Sequence, residues 1–239
     1  MYKNIVIIGN SGAIGSAFIK EFSDRPETQI IHSFGRSKNL NHAAKISFHY
    51  LDYNDESSIE NAAFIASQNN PIDLVLVTTG ILHDHEFKPE KSFTELSADK
   101  FQKLFEINTI IPAMLAKHFL NKINKNKRSV FAALSARLGS ISDNQLGGWY
   151  SYRASKSALN MFIKTTSIEM KRRSKKTIVV GLHPGTVKSR LSKPFHKSVQ
   201  ENKLFTPEYS VRCLISVLDK LTVYDSGKCF AWDGKEIKP

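Results

Sequence analysis

The stretch that most limits the fold lies at the start of the chain. The apolar run Ile5-Val6-Ile7-Ile8 passes without a spacer into Gly9-Asn10-Ser11-Gly12-Ala13-Ile14-Gly15. An unbroken apolar run reads as a strand covered on both faces. Gly9 permits a tight turn at its end, and Ala13 and Gly15 leave room for a close backbone and for the helix that follows. The free N–H groups of that helix start then face the space beyond the strand, a geometry suited to a pyrophosphate. Glycines at 9, 12 and 15 do not have the G-x-G-x-x-G spacing, so this segment alone also fits a plain tight turn.

The same alternation runs along the chain. Strands are predicted over 4–8, 29–34, 46–50, 72–77, 129–134 and 177–182, with a short seventh over 228–231. Helices are predicted over 12–22, 55–67, 98–123, 149–172 and 206–218, with Pro112 kinking the third because it removes a backbone bond. Continuous apolar strands separated by helices imply an α/β fold: one doubly wound, Rossmann-type domain over residues 1–239, its parallel sheet of about seven strands flanked by helices. Ligands of such sheets bind beyond the carboxyl ends of the strands. The Gly9 turn, Thr78-Thr79-Gly80, Ser135 and Pro184-Gly185 would all converge there. Residues 188–205 mix Leu191, Pro194, Phe195 and Phe205 with Lys193, His196 and Lys197, as a substrate lid with a basic rim would.

Composition excludes several classes. Cys213 and Cys229 lack metal-ligand spacing and read as reduced thiols of a cytoplasmic protein. No secretory signal and no apolar run of membrane-spanning length is present, so no membrane partner is expected. The net charge of +12 is concentrated in 122–128 and 171–176. These clusters are read as cationic ends of two helices, where Lys and Arg complement the dipole. The alternative, a nucleic-acid surface, lacks a recognition motif, and no nucleic-acid partner is expected. His83-Asp84-His85-Glu86 is read as a solvated loop, and no metal is expected.

Several polar residues can carry chemistry. A Rossmann site for NAD usually has a carboxylate about 20 residues on, at the end of the second strand. Here Phe34-Gly35 is followed by Arg36-Ser37-Lys38. A guanidinium fork there suits a 2′-phosphate and favours NADP(H) over NAD(H), although a solvated loop arginine also fits. Asp52 would reach an adenine edge or start the helix at 55. Tyr152 and Lys156 are four apart on one helix face. A neighbouring ammonium would lower the phenol pKa and make a usable acid–base group. Ser135 closes a strand, and Asn108 sits inside a helix where only buried partners would justify it.

Gly9-x-x-x-Ala13-x-Gly15, Asp52, Asn108, Ser135, Tyr152-x-x-x-Lys156 and Pro184-Gly185 occur in the order of the short-chain dehydrogenase/reductase superfamily, which the whole chain resembles. Leu134 to Ile141, Gly147 to Lys156, His183 to Val187 and Phe230 to Gly234 resemble the branch of C-factor and sniffer-type carbonyl reductases. The resemblance implies reduction of a small aldehyde or ketone, or alternatively a C-factor-like signalling protein that binds a dinucleotide with little turnover. It implies a proton donor at Tyr152, and a Lys156 that binds the nicotinamide ribose and lowers the tyrosine pKa. Ser135 would orient the carbonyl and Asn108 would hold a relay water. Gly9, Ser11, Gly12, Ala13, Ile14, Gly15, Arg36, Ser37, Asp52, Thr79, Gly80, Tyr152, Lys156, Pro184, Gly185 and Val187 would bind the cofactor. A homo-oligomer, dimer or tetramer, is expected.

The chain departs from that pattern in two places. The family's Asn-Asn-Ala-Gly reads Val77-Thr78-Thr79-Gly80, with the Thr78 hydroxyl a partial substitute for the bracing asparagine. Where many relatives use the second of two serines, Ala136 follows Ser135. Ser135 precedes Tyr152 by 17 residues and the rival Ser140 by 12. Ser135 is preferred because it ends a strand.

Overall fold

A computed structural model describes residues 2–36 and 44–239. Eight strands form one sheet: β1 (Asn4–Ile8), β2 (Ile30–Gly35), β3 (Ile46–Tyr50), β4 (Leu74–Val77), β5 (Ser129–Leu134), β6 (Thr177–His183), β9 (Cys229–Ala231) and β10 (Glu236–Ile237). The order is β10-β9-β6-β5-β4-β1-β2-β3, and every pairing is parallel except β9 with β10. This is the α/β Rossmann-like arrangement expected. The antiparallel two-residue β10 is additional, too short to give a sequence signal of its own.

Alternate residues of the strands fill two cores. Val6, Ile8, Phe131, Ala133 and Val179 face α2 (Glu56–Ser67), α4 (Ile111–Phe119) and α5 (Tyr150–Arg173). Ile5, Ile7, Val130, Ala132, Val180 and Leu182 face α1 (Ala13–Ser23) and α6 (Pro207–Lys220). Burial on both faces is why these strands read as continuous apolar runs. Phe119 anchors α4 edge-on to Phe34 of β2, ring centroids 6.0 Å apart, and truncating so buried a phenylalanine costs roughly 3–5 kcal/mol.

The helix predicted over 98–123 is broken. α3 (Ala98–Phe105) runs into a π-helical turn at Glu106–Ile110, where the Ile111 amide reaches back five residues to the Glu106 carbonyl, and α4 follows. Pro112 has no N–H for the Asn108 carbonyl four residues back, so the ladder is interrupted there. The 72–77 strand is also shorter, beginning at Leu74; just before it the Asp73 carboxylate accepts from the Lys3 and Asn4 amides (2.9 and 3.2 Å). Lys171, Arg172 and Arg173 form the last turn of α5. Arg128 instead serves the far end of α6, donating to the Leu218 and Leu221 carbonyls and to the Tyr2 hydroxyl. Two further strands, β7 (Thr186–Val187) and β8 (Leu204–Phe205), pair in parallel and clamp the ends of the segment between them.

Candidate active site

The strand ends and the β7–β8 segment enclose a cleft of about 590 Å³. Its walls bring together Gly12, Ala13 and Ile14 from the first turn, Thr79 and Gly80 after β4, Ser135 after β5, Tyr152 and Lys156 from α5, and Pro184, Gly185 and Val187 after β6. Residues up to 175 positions apart thus face one space because each follows a parallel strand or starts a helix on the same side of the sheet.

The glycine turn is a cradle that side chains would fill. Gly9 has φ +95°, and a Cβ there would lie 2.7 Å from the Thr78 hydroxyl; one on Gly15 would lie 2.3 Å from the Gly9 carbonyl. Thr78 occupies the place of the family's asparagine, and its hydroxyl donates to the Ile8 and Gly9 carbonyls (2.8 and 3.2 Å), tying β4 to β1. Gly12 caps α1 without a side chain, so the first helical amides point outward unobstructed. Such a backbone cradle fits a dinucleotide pyrophosphate.

Elsewhere on the cofactor path, Ser11 is exposed on the same turn and Arg36 is exposed at the end of β2. Ser37 and Lys38 lie outside the described residues. Asp52 receives the Asn54 amide (2.9 Å), while its own amide donates to Ser58; Asp55, not Asp52, caps α2. Tyr53, which sequence reasoning passed over, lies close to the Gly9 backbone and Arg36, and burial pushes its phenol up to about 12.

Tyr152 is buried against Leu82, Phe87, Leu104 and Ala136, with Trp149 edge-on at 6.3 Å. Burial pushes its phenol up from the ordinary value, the opposite of the shift expected from a neighbouring ammonium. Lys156 does not offset that burial. Its ammonium is 5.9 Å from the tyrosine ring centroid and is committed to the Leu134 carbonyl (2.8 Å). Burial pulls it down to about 8. Gly80 lies beside both groups: a Cβ there would be in ordinary contact with Lys156 Nζ (3.7 Å) and Asn108 Oδ1 (3.5 Å).

Asn108 is fully buried in the π turn. Its amide exchanges two bonds with Ile81, both 2.9 Å, and donates to Ser155 Oγ (3.1 Å), which donates to the Tyr152 carbonyl (2.8 Å). Ser135 lines the cleft, but its hydroxyl donates to Asn160 Oδ1 at 2.6 Å. Ser140 turns to Ser142 and the Asp143 amide. Beside Tyr152 stands the methyl of Ala136. Thr79 Oγ1 and His183 Nδ1 are buried polar atoms with no protein partner, and burial pulls His183 down to about 4. The loop at 83–86 is engaged by protein: His83 meets the Leu191 carbonyl (2.9 Å), and Lys103 pairs with Asp84 and Glu86. Among the described residues no group of three or more His, Cys, Asp or Glu is placed to hold a metal.

Residues 3–200 match the short chain dehydrogenase family. The chain belongs to that family. Among curated members, the 1-hydroxy-2-glutathionyl-2-methyl-3-butene dehydrogenase of Rhodococcus sp. (strain AD45) is 27% identical over 231 residues, 96% of each chain. C-signal of Myxococcus xanthus is 32% identical over 135 residues, 56% of this chain and 76% of that one. Two solved structures have the same fold at TM-score 0.85 and 22% identity. They are the NADPH-bound carbonyl reductase from chicken fatty liver, covering 99% of each chain, and the carbonyl reductase Sniffer of D. melanogaster, covering 99% of this chain and 100% of that one. The branch read from the 134–141 and 147–156 segments is thus represented among both kinds of relative. No helix among the described residues is long and apolar enough to cross a membrane.

Proposed function

We propose that this short chain dehydrogenase is an NADPH-dependent reductase of small aldehydes or ketones. The observation that carries it is the meeting of Tyr152 and Lys156 with the glycine turn in one cleft. A bound nicotinamide dinucleotide supplies the hydride. Gly9 to Gly15 receive its pyrophosphate, Asp52 and Arg36 its adenosine end, and Thr79, Gly80, Pro184, Gly185 and Val187 border its nicotinamide half. Tyr152 donates the proton to the carbonyl oxygen. Burial keeps the phenol protonated but makes it a weaker acid than a free tyrosine. Lys156 holds the nicotinamide ribose. Asn108, whose carbonyl Pro112 deprives of the amide four residues on, holds a water that refills the proton. Ser135 is the hydroxyl assigned to the substrate oxygen. Because it is shared with Asn160 and a methyl occupies position 136, Ser135→Ala costs less turnover than Tyr152→Phe. Residues 188–205 act as the lid, in one domain with the sheet.

The location assigned is the cytoplasm, and the protein is assigned a self-assembled state. NADPH oxidation with a panel of carbonyl compounds, with the alcohol product identified, tests the assignment. The likeness to C-signal favours a second reading, a dinucleotide-binding signalling protein. NADPH binding with no carbonyl reduced across the panel would select it.

A further inference from the structure

We propose that Glu90 is a positioning residue for Tyr152, a buried carboxylate that holds the first turn of α5; the proposal rests on Tyr152 being the proton donor. In Lys88-Pro89-Glu90-Lys91 the two lysines are exposed while Glu90 is fully buried. A buried carboxylate is costly unless its oxygens are hydrogen-bonded. Among the described residues Glu90 makes no ion pair. Its side chain instead receives the Ser151 hydroxyl and the Ser151 amide (3.4 Å), and its main-chain carbonyl receives the Trp149 amide (2.5 Å).

Those donors belong to the start of α5. The residue before the helix, Trp149, is left-handed (φ 53°, ψ 42°) and offers no side-chain cap. A bulky residue persists in that conformation only where its surroundings hold it. Glu90 supplies the hold and the missing cap, from 61 positions away, and places negative charge at the positive end of a 24-residue helix. Ser151 immediately precedes Tyr152. The 81–90 segment is pinned at both ends, by Ile81 on Asn108 and by Glu90 on Ser151. Asn108 reaches the same helix turn through Ser155 and the Tyr152 carbonyl. Tyr152 is therefore braced from two directions by one loop, and Glu90 is the brace on the open end of the helix.

Glu90→Ala frees the Ser151 amide and hydroxyl. A displacement of about 1 Å at a reacting group costs on the order of 10²-fold in rate, so kcat falls about 10- to 100-fold. KM and NADPH affinity stay within about threefold, the pattern of a loss confined to the transition state. Glu90→Gln keeps an acceptor for Ser151 and restores most of kcat. Ser151→Ala, which removes one donor and leaves the backbone bond, falls between. The Gln and Ser151 variants carry the test if Glu90→Ala does not fold. Hydrogen exchange of the amides at 149–153 is read in parallel and needs no turnover: it quickens in Glu90→Ala and not in Glu90→Gln. Unchanged exchange and kcat in Glu90→Ala, a loss expressed only in KM or NADPH affinity, or a glutamine variant as impaired as the alanine one would overturn the proposal. Absence of turnover in the wild type fails the reductase reading alone, because the exchange experiment still decides whether Glu90 holds the helix.

Discussion

Replacing Lys156 with methionine removes a buried charge while keeping a long apolar stem, and the effect on stability has a sign that depends on pH. Burial takes the ammonium from its ordinary 10.5 to about 8. Between those values the unfolded chain holds a proton that the folded protein has released, so wild-type stability rises with pH across that window. A shift of that size corresponds to ~3 kcal/mol at 1.36 kcal/mol per unit. Below pH 8 the folded protein carries the full cost of the buried ammonium, and only the bond to the Leu134 carbonyl, worth roughly 1.5–3 kcal/mol for a charged donor, offsets it. The methionine variant has neither term and does not titrate here. Its stability advantage over the wild type should therefore shrink by ~3 kcal/mol, or roughly 6–12 °C in Tm, as pH is raised from 7.5 to 10.5. Thermal melts of the two proteins side by side measure this, since titration of the other lysines and tyrosines is common to both and cancels. Parallel Tm curves would refute the buried-charge reasoning, and a gap that widened with pH would reverse its sign.

Arg36→Ala should weaken NADPH binding by about 1.5–3 kcal/mol, the scale of a charge-assisted hydrogen bond, and leave NADH nearly unchanged; equal losses by calorimetry would show that Arg36 does not read the 2′-phosphate. His32 is pulled from 6.5 to about 4 by burial and by His49 beside it. A histidine lowered in this way contributes stability above pH 6.5 that is lost as pH falls towards 4, at most ~3 kcal/mol. His32→Gln should therefore flatten the denaturant midpoint between those pH values, and an unchanged slope would contradict the assignment. Ile110, Met161 and Ile168 are exposed apolar residues on the π turn and α5, and a dimer or larger mass by light scattering at micromolar concentration is expected, with a monomer excluding it. Phe119 of α4 and Ile163 of α5 are in the core and contribute nothing to such a surface.

The order of strands and helices was legible because a parallel strand is apolar on both faces; Val6 and Ile7 face different cores, yet both read as hydrophobic. Tyr152 and Lys156 were legible because helical spacing of four places them on one face without any tertiary information. Other features depended on contacts distant in sequence. Pro112 flagged an irregularity, but the π turn also carries Asn108, which is tied 27 positions away to Ile81. Ala136 is plain in the sequence, whereas the meeting of its methyl with Tyr152 is set by how β5 and α5 pack. Glu90 carried no signal in the sequence, since its burial depends on Ser151 of α5, 61 positions away. The direction of the Tyr152 shift is set by its burial in the Leu82, Phe87, Leu104 and Ala136 cluster, which helix spacing does not report.

The central claim is that Tyr152 protonates a carbonyl while hydride reaches its carbon. Deuteride transfer from deuterated NADPH into the alcohol product, followed for the wild type and for Tyr152→Phe, tests it most directly. The phenylalanine keeps the ring and its packing against Trp149 and Ala136. Deuterium in the wild-type product, with kcat at least ~10²-fold lower in the variant and NADPH affinity unchanged, is the expected result. Equal rates of deuteride transfer by the two proteins, or no deuterium in the wild-type product, would contradict the account.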